Sequence, residues 1–361
     1  MHKKLFIPGP IEVRSEVLQK MSSPMIGHRD KEFSELFNEI IPKMQKLLYT
    51  QNRIFLSTSS GTGLMEAAVR NCTDKKCLNL VCGAFSDRWH GMTQENGKEC
   101  EAVKVEWGKA IKPEMVREKL DTGEFDAITL VHNETSTGVM NPLQEIAEVM
   151  KEFPETLFLV DTVSSMAGVK IEVDKLGIDV CLSSSQKALG LPPGLAVCSV
   201  SEKALEKAKT VKNRGHYFDF LAFLKSYEKG QTPTTPCIPH FFALNHQLDH
   251  ILKEGLDNRF ARHEKMAGIG RKWAKENFEL FPEKGYESVT LTAVKNNKGI
   301  VVADLNAELA KKGFLISNGY KELKEKTFRI AHMGDTQPEE LEELLKVMDE
   351  IIAGLPKGAK A

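Results

Sequence analysis

Six short apolar runs, each stopping at a cluster of small polar residues, punctuate the first 200 residues of this chain. They are Ile54–Leu56, Leu78–Cys82, Ala127–Val131, Leu157–Val160, Ile178–Leu182 and Leu195–Val200. Runs of this length without polar alternation are expected as strands buried on both faces. Segments of helical period precede or separate them: Lys31–Leu48 before the first, then Pro113–Leu120 and Leu143–Glu152. Strand, helix, strand, repeated, predicts an α/β chain with a mostly parallel sheet and helices on both faces. Ligands gather at the carboxyl ends of such strands, so the polar residues found there are the first functional candidates.

Two of those ends carry ionisable groups. Asp161 follows Leu157–Val160 directly, and a carboxylate at a buried strand end needs a cationic or strongly donating partner. Its competing reading is a helix N-cap. Ser183–Gly194 follows the Ile178–Leu182 run and brings three serines, Gln186 and Lys187 out of the sheet into a loop fixed by Gly190, Pro192, Pro193 and Gly194. A lysine so held can condense with an aldehyde cofactor; a surface lysine between two strands is the alternative. Taken together, an aspartate for a protonated pyridine nitrogen and a lysine for an aldehyde are the pair that pyridoxal phosphate (PLP) requires.

Other strand ends point the same way. Ser57–Gly63 is rich in small residues and opens a helix, and free backbone N–H groups at a helix start favour an anion. The stretch does not match the dinucleotide pattern G-x-G-x-x-G, which argues against a nicotinamide cofactor. His132–Gly138 packs polar residues behind Ala127–Val131, with His132 read as structural and Asn133 and Glu134 as loop supports. Arg329 lies inside an apolar strand, Thr327–His332, where an unpaired cation is costly and a carboxylate would pair with it. Gly230–Pro236 has hydroxyls and two prolines but no apolar residue to bury. His28 and Arg29 are either substrate-side groups or the solvated start of a helix. Tyr217, in an aromatic-rich stretch, lines an entrance or belongs to the core.

Asp161-x-Val163, followed by Ser184-Ser185-Gln186-Lys187-Ala188-Leu189 and Pro192-Pro193-Gly194, resembles the class V aminotransferases of PLP fold type I. The alanine–glyoxylate/serine–pyruvate aminotransferases are the most similar branch, and the resemblance runs over nearly the whole chain. It implies that Lys187 carries PLP and moves the substrate proton, and that Asp161 holds the pyridine nitrogen protonated. It places Ser60, Gly61 and Thr62 at the phosphate, Phe85 against the ring, Ser136 near the phenolic oxygen, and Val163 and Gln186 among the cofactor contacts. Arg329 becomes the anchor of the substrate carboxylate. The family resemblance further implies a homodimer with shared active sites, Thr235 reaching the other subunit's phosphate and an N-terminal arm lying over the partner. The implied reaction moves an amino group from alanine or serine, or from aspartate, to a 2-oxo acid such as glyoxylate or pyruvate.

A chain of 361 residues exceeds one small core. The expected division is an arm over 1–15, a large PLP-binding domain over 16–255, and a linker helix with a small C-terminal α+β domain over 256–361. The formal net charge of −1 implies no nucleic-acid surface. No apolar run reaches membrane-spanning length, no signal peptide is visible, and the expectation is a cytoplasmic protein without a metal. Seven scattered cysteines suit a reducing compartment and lack zinc spacing. A cysteine desulfurase is the rival within PLP chemistry, but no cysteine follows Cys237, and Gln186 stands where those enzymes usually have histidine. A non-catalytic scaffold subunit of the same fold is the rival outside enzymology.

Overall fold

The computed structural model describes residues 2–354; the tail expected to fray, 357–361, lies outside them. Seven strands form the main sheet in the order Arg53–Ser57, Ala196–Val200, Val180–Ser184, Leu157–Asp161, Ala127–Val131, Cys77–Val81, Cys100–Lys104. Only Ala196–Val200 runs antiparallel to its neighbours. The five strands Cys77–Val81, Ala127–Val131, Leu157–Asp161, Val180–Ser184 and Ala196–Val200 are buried at every residue. This is the physical reason their sequences read as unbroken apolar runs.

Helices seal both faces. On one, Lys31–Leu48 packs Phe33 against Phe241 of Ile238–Glu254, with ring centroids 5.2 Å apart. On the other, Gly61–Cys72 lays Leu64, Ala67 and Ala68 over Leu182, Cys198 and Phe55. Each large apolar side chain so buried contributes about 1.5–3 kcal/mol.

A second, five-stranded sheet has the order Lys4–Phe6, Phe314–Asn318, Thr327–Ala331, Leu291–Lys295, Glu279–Leu280. Trp273, Phe278 and Phe328 form its aromatic centre under the helices Leu256–Asn277 and Pro338–Gly354. Its edge strand comes from the other end of the chain: Lys4, Leu5 and Phe6 pair in parallel with Phe314, Leu315 and Ile316. Within the stretch expected as an arm over 1–15, Lys4–Phe6 is thus tied to its own chain, because Phe6, 1% exposed, has an aromatic neighbour in Phe314 to bury against.

The lysine strand also differs from its sequence reading. It runs Val180–Ser184 rather than ending at Leu182, because Ser183 and Ser184 pair with Val197 and Ala196 of the antiparallel neighbour. Ladder pairing, not apolarity, sets its end.

Candidate active site

The parallel register brings Val131, Asp161 and Leu182 side by side at the strand ends. A cavity of about 280 Å³ opens above them, lined by Ser60, Gly61, Thr62, Phe85, Asp161, Val163, Gln186 and Lys187. Eight of the sequence candidates thus share one space. Ser136, Thr235 and Arg329 do not line it.

Asp161 is 4% exposed, and Val163 N–H donates to its Oδ1 at 2.7 Å. The cap reading is accordingly visible in the structure, but it accounts for one bond only. The buried carboxylate of Asp126, by contrast, accepts three backbone N–H bonds and pairs with Lys207. Burial raises the Asp161 carboxyl to about 7; the Val163 bond lowers it and Glu134 raises it further. A cationic donor in the cavity would reverse that shift.

Lys187 is 9% exposed, and burial, then repulsion from Arg329, lowers its ammonium to about 8 against a smaller pull from Asp161. At pH 7.5 this raises the neutral fraction from roughly one in a thousand to about one in four. Its Nζ donates to the carbonyl of Pro8. Gly9 presses against the same side chain, and a Cβ there would come within 3.0 Å of the lysine Cε.

The helix Gly61–Cys72 points its start at this cavity, and its N-cap, Ser60, makes no side-chain capping bond. Gly61 is required by close approach, since a Cβ would stand 2.8 Å from Val163 Cγ2. Two cavity-lining groups, Ser184 Oγ and Gln186 Oε1, are buried without a hydrogen-bond partner, an arrangement that buried polar atoms avoid unless a ligand or water completes them. A helix start for an anion, a carboxylate short of a cation, a lysine shifted toward its neutral form and unmatched polar atoms together fit PLP.

Ser136 stands outside the cavity lining. Its hydroxyl donates to Glu134 Oε1 at 2.6 Å and accepts from Ala84 N–H at 3.0 Å, so it fixes the start of the Phe85 helix from behind the cavity wall. Thr135 takes its place at the surface of the cavity. Glu134 also accepts from the N–H groups of Phe85 and Ser86, which matches its reading as a loop support. His132 bonds Ser165 Oγ at 2.9 Å and burial lowers it to about 4, leaving it neutral and structural.

Arg329, 7% exposed, donates to Thr135 O at 3.1 Å and to Asn318 O at 3.1 and 3.3 Å. Burial lowers this guanidinium to about 10. Among the described residues it has carbonyls but no carboxylate partner. Thr235 is exposed, in a loop held by Arg29, which donates to Thr232 O at 2.7 Å and to Gln231 and Pro233. Arg29 thereby staples this loop. Tyr217 donates to Thr58 O at 3.1 Å, beside the helix start.

Sequence reasoning missed Arg88 and Arg259. Arg88 lines the cavity one helical turn after Phe85, and that i, i+3 spacing was the available signal. Arg259 is fully buried and donates to Ala188 O and Ala167 O, at 2.8 and 2.9 Å, while pairing with Glu254 and Asp335. It braces the lysine loop against the second sheet's elements. Nothing in its local sequence marked it.

The fold and this lysine–aspartate cavity define a fold type I aminotransferase. Residues 12–336 match the family model described as Aminotransferase class-V. The chain is 44% identical to an uncharacterized aminotransferase of Methanocaldococcus jannaschii, over 92% of this chain and 88% of the relative. It is 37% identical to the soluble hydrogenase 42 kDa subunit of Anabaena cylindrica (91% and 88%) and 32% identical to the L-aspartate–glyoxylate aminotransferase of Paracoccus denitrificans (91% and 86%). The solved alanine–glyoxylate aminotransferase of a Nostoc species superposes with a TM-score of 0.91 at 31% identity, covering 98% of this chain and 96% of that one. This chain belongs to the class V aminotransferases, which are PLP-dependent enzymes.

Proposed function

We propose that this chain transfers an amino group from a small amino acid (alanine, serine or aspartate) to a 2-oxo acid such as glyoxylate or pyruvate. The observation that carries this reading is the convergence of Lys187 and Asp161, oppositely perturbed, on one cavity beside an unbridged helix start. PLP, when bound, supplies an aldehyde for the amine and an electron-accepting ring. Ser60, Gly61 and Thr62 would hold its phosphate, Phe85 its ring face, and Asp161 its nitrogen. Lys187 Nζ, shifted toward its neutral form, takes and returns the proton of the substrate Cα. Pro8 and Gly9 cover the lysine and exclude water from it. Seven free cysteines suit work in the cytoplasm, and among the described residues no helix is long and apolar enough to cross a membrane.

The test is a panel of amino donors against glyoxylate, pyruvate and 2-oxoglutarate with PLP-loaded protein. Turnover of none of them overturns the reading. Absence of both turnover and PLP binding would turn the reading toward the scaffold alternative.

The substrate α-carboxylate is assigned to Arg329, whose guanidinium has only carbonyls to neutralise it. Arg329→Leu should raise the half-saturation of donor and acceptor by roughly 30-fold or more, since truncating one side of a buried charge pair costs about 2–5 kcal/mol. The cofactor's visible absorption without substrate should barely change. Loss of PLP from this variant would make Arg329 a structural residue.

The same reading includes a homodimer with shared sites, supported by Gly230–Pro236: its Thr235 is exposed and faces no group of its own cavity. Contact with a partner's phosphate would add a charge-assisted bond worth about 1.5–3 kcal/mol. Mixing Lys187→Ala with Thr235→Ala protein should, after subunit exchange, give activity above either parent, because one site of the mixed dimer is intact. Proven exchange without that gain places Thr235 outside the neighbour's site.

A further inference from the structure

Arg88 is a second cation at the cavity, and neither the PLP contacts nor the α-carboxylate uses it. It lines the cavity together with Phe85 and Asp161. Its own neighbour in sequence, Asp87, is paired with Lys104 instead, and among the described residues Arg88 has no carboxylate partner. Its Nη2 donates to Tyr320 Oη at 3.0 Å, and its guanidinium stands 4.9 Å from the centroid of the Phe85 ring. Tyr320 stacks on Phe85 with centroids 5.4 Å apart and 23° between planes. The other face of this arrangement is Arg329, whose guanidinium carbon lies 5.6 Å from the centroid of Tyr320.

One tyrosine therefore joins two guanidinium groups that have no carboxylate. Both contacts meet on its one side chain, so a single short diacid can reach the two guanidinium groups at once. Because the Tyr320 oxygen accepts from Arg88, its own O–H stays free to donate to a second oxygen. A guanidinium fork and a phenol side by side form a carboxylate receptor.

We infer that Arg88 and Tyr320 bind the distal carboxylate of a dicarboxylic amino acid while Arg329 takes the α-carboxylate. This rests on the transaminase reading, takes aspartate from among its donors and extends it to glutamate. Aspartate and glutamate, with their 2-oxo diacids, are then the preferred substrates, and alanine and serine the poor ones.

The experiment has a binding arm and a turnover arm. In the first, succinate and propionate are titrated against the PLP-loaded protein, read by visible absorption and by thermal shift. The wild type should bind succinate at least tenfold more tightly than propionate, and Arg88→Met should remove that preference. Succinate binding no tighter than propionate binding, or a preference that survives in Arg88→Met, overturns the inference. Arg88→Lys, which keeps the charge but loses the fork, and Tyr320→Phe should each remove part of it, which keeps the test valid if the methionine variant folds poorly.

In the turnover arm, the ratio of kcat/KM for aspartate to that for alanine should fall roughly 30-fold or more in Arg88→Met. An equal fall for both donors would make Arg88 a support for Phe85 and sink the proposal. O-phosphoserine preferred over aspartate through Arg88 would replace the carboxylate by a phosphate and overturn it as stated. If no donor is turned over, the transaminase reading fails by itself, and the succinate titration still decides the diacid site.

Discussion

Lys187→Ala should abolish transamination, and it should at the same time make the cofactor-free protein more stable. Loss of the proton carrier alone removes about 10²–10⁴ of the rate, and loss of the covalent anchor removes more. Borohydride treatment of the PLP-loaded wild type, followed by peptide mapping, should place the label on Lys187; a label on another lysine ends the assignment. The stability gain follows from the lysine's depressed ammonium, held at about 8 by burial. Between about 8 and the ordinary value near 10.5 the unfolded chain binds the proton that the folded one has released, so wild-type stability rises with pH through that window. Below it the folded state carries the full cost of a buried charge, on the order of 3 kcal/mol. The alanine variant should therefore exceed the wild type in apo-protein Tm below pH 8, less the cavity it leaves, with the difference shrinking toward pH 10.5. Differential scanning calorimetry of both apo-proteins across that range reads it directly.

The second large effect belongs to Asp161→Asn, which keeps an oxygen for Val163 N–H and removes only the charge. Burial holds the wild-type carboxyl at about 7. Here the folded state binds the extra proton, so stability falls as pH rises from the ordinary value near 3.8 through 7, and the cost persists above. Apo Asp161→Asn should be more stable than apo wild type above pH 7 by about 2–4 kcal/mol and nearly equal to it near pH 4. With PLP the order reverses: the variant should hold the cofactor less tightly and slow Cα proton removal, roughly 30-fold to several thousand-fold. Near-wild-type turnover would reduce Asp161 to the turn it forms with Val163. A group that destabilises its own empty fold and pays this back only with ligand is the signature of a binding site rather than of a cap.

How much of this was legible in the chain depends on whether a residue's role is local. Buried parallel strands, the aspartate at a strand end and the glycine loop after Lys187 are local patterns, and the α/β sheet follows from them. Gly61–Cys72 was readable as an anion-facing helix because its first turn is small and polar. Ser136 was not readable in the same way: whether its hydroxyl faces the cavity or Glu134 depends on a carboxylate two residues earlier meeting a helix some fifty residues upstream. Arg88 failed for a milder reason, since a helical arginine is solvated more often than not. Arg259 and Tyr320 act through partners distant in sequence, and no window contains both halves of such a contact. The edge strand Lys4–Phe6 is the extreme case, three residues whose partners lie at the opposite end of the chain.

That edge strand has a consequence for how the molecule is assembled on the ribosome. Phe6 has no place to go until Ile316, its ladder partner, has been made, and at about 5–20 residues per second this is a wait on the order of tens of seconds. Pro8 and Gly9, two and three residues beyond the strand, are what close over Lys187. The main sheet and the lysine loop are complete in sequence by residue 200, so the reactive amine is built early and roofed late. The site thus stays open while residues 201–316 are being made, and its closure reports that the second sheet has joined the first.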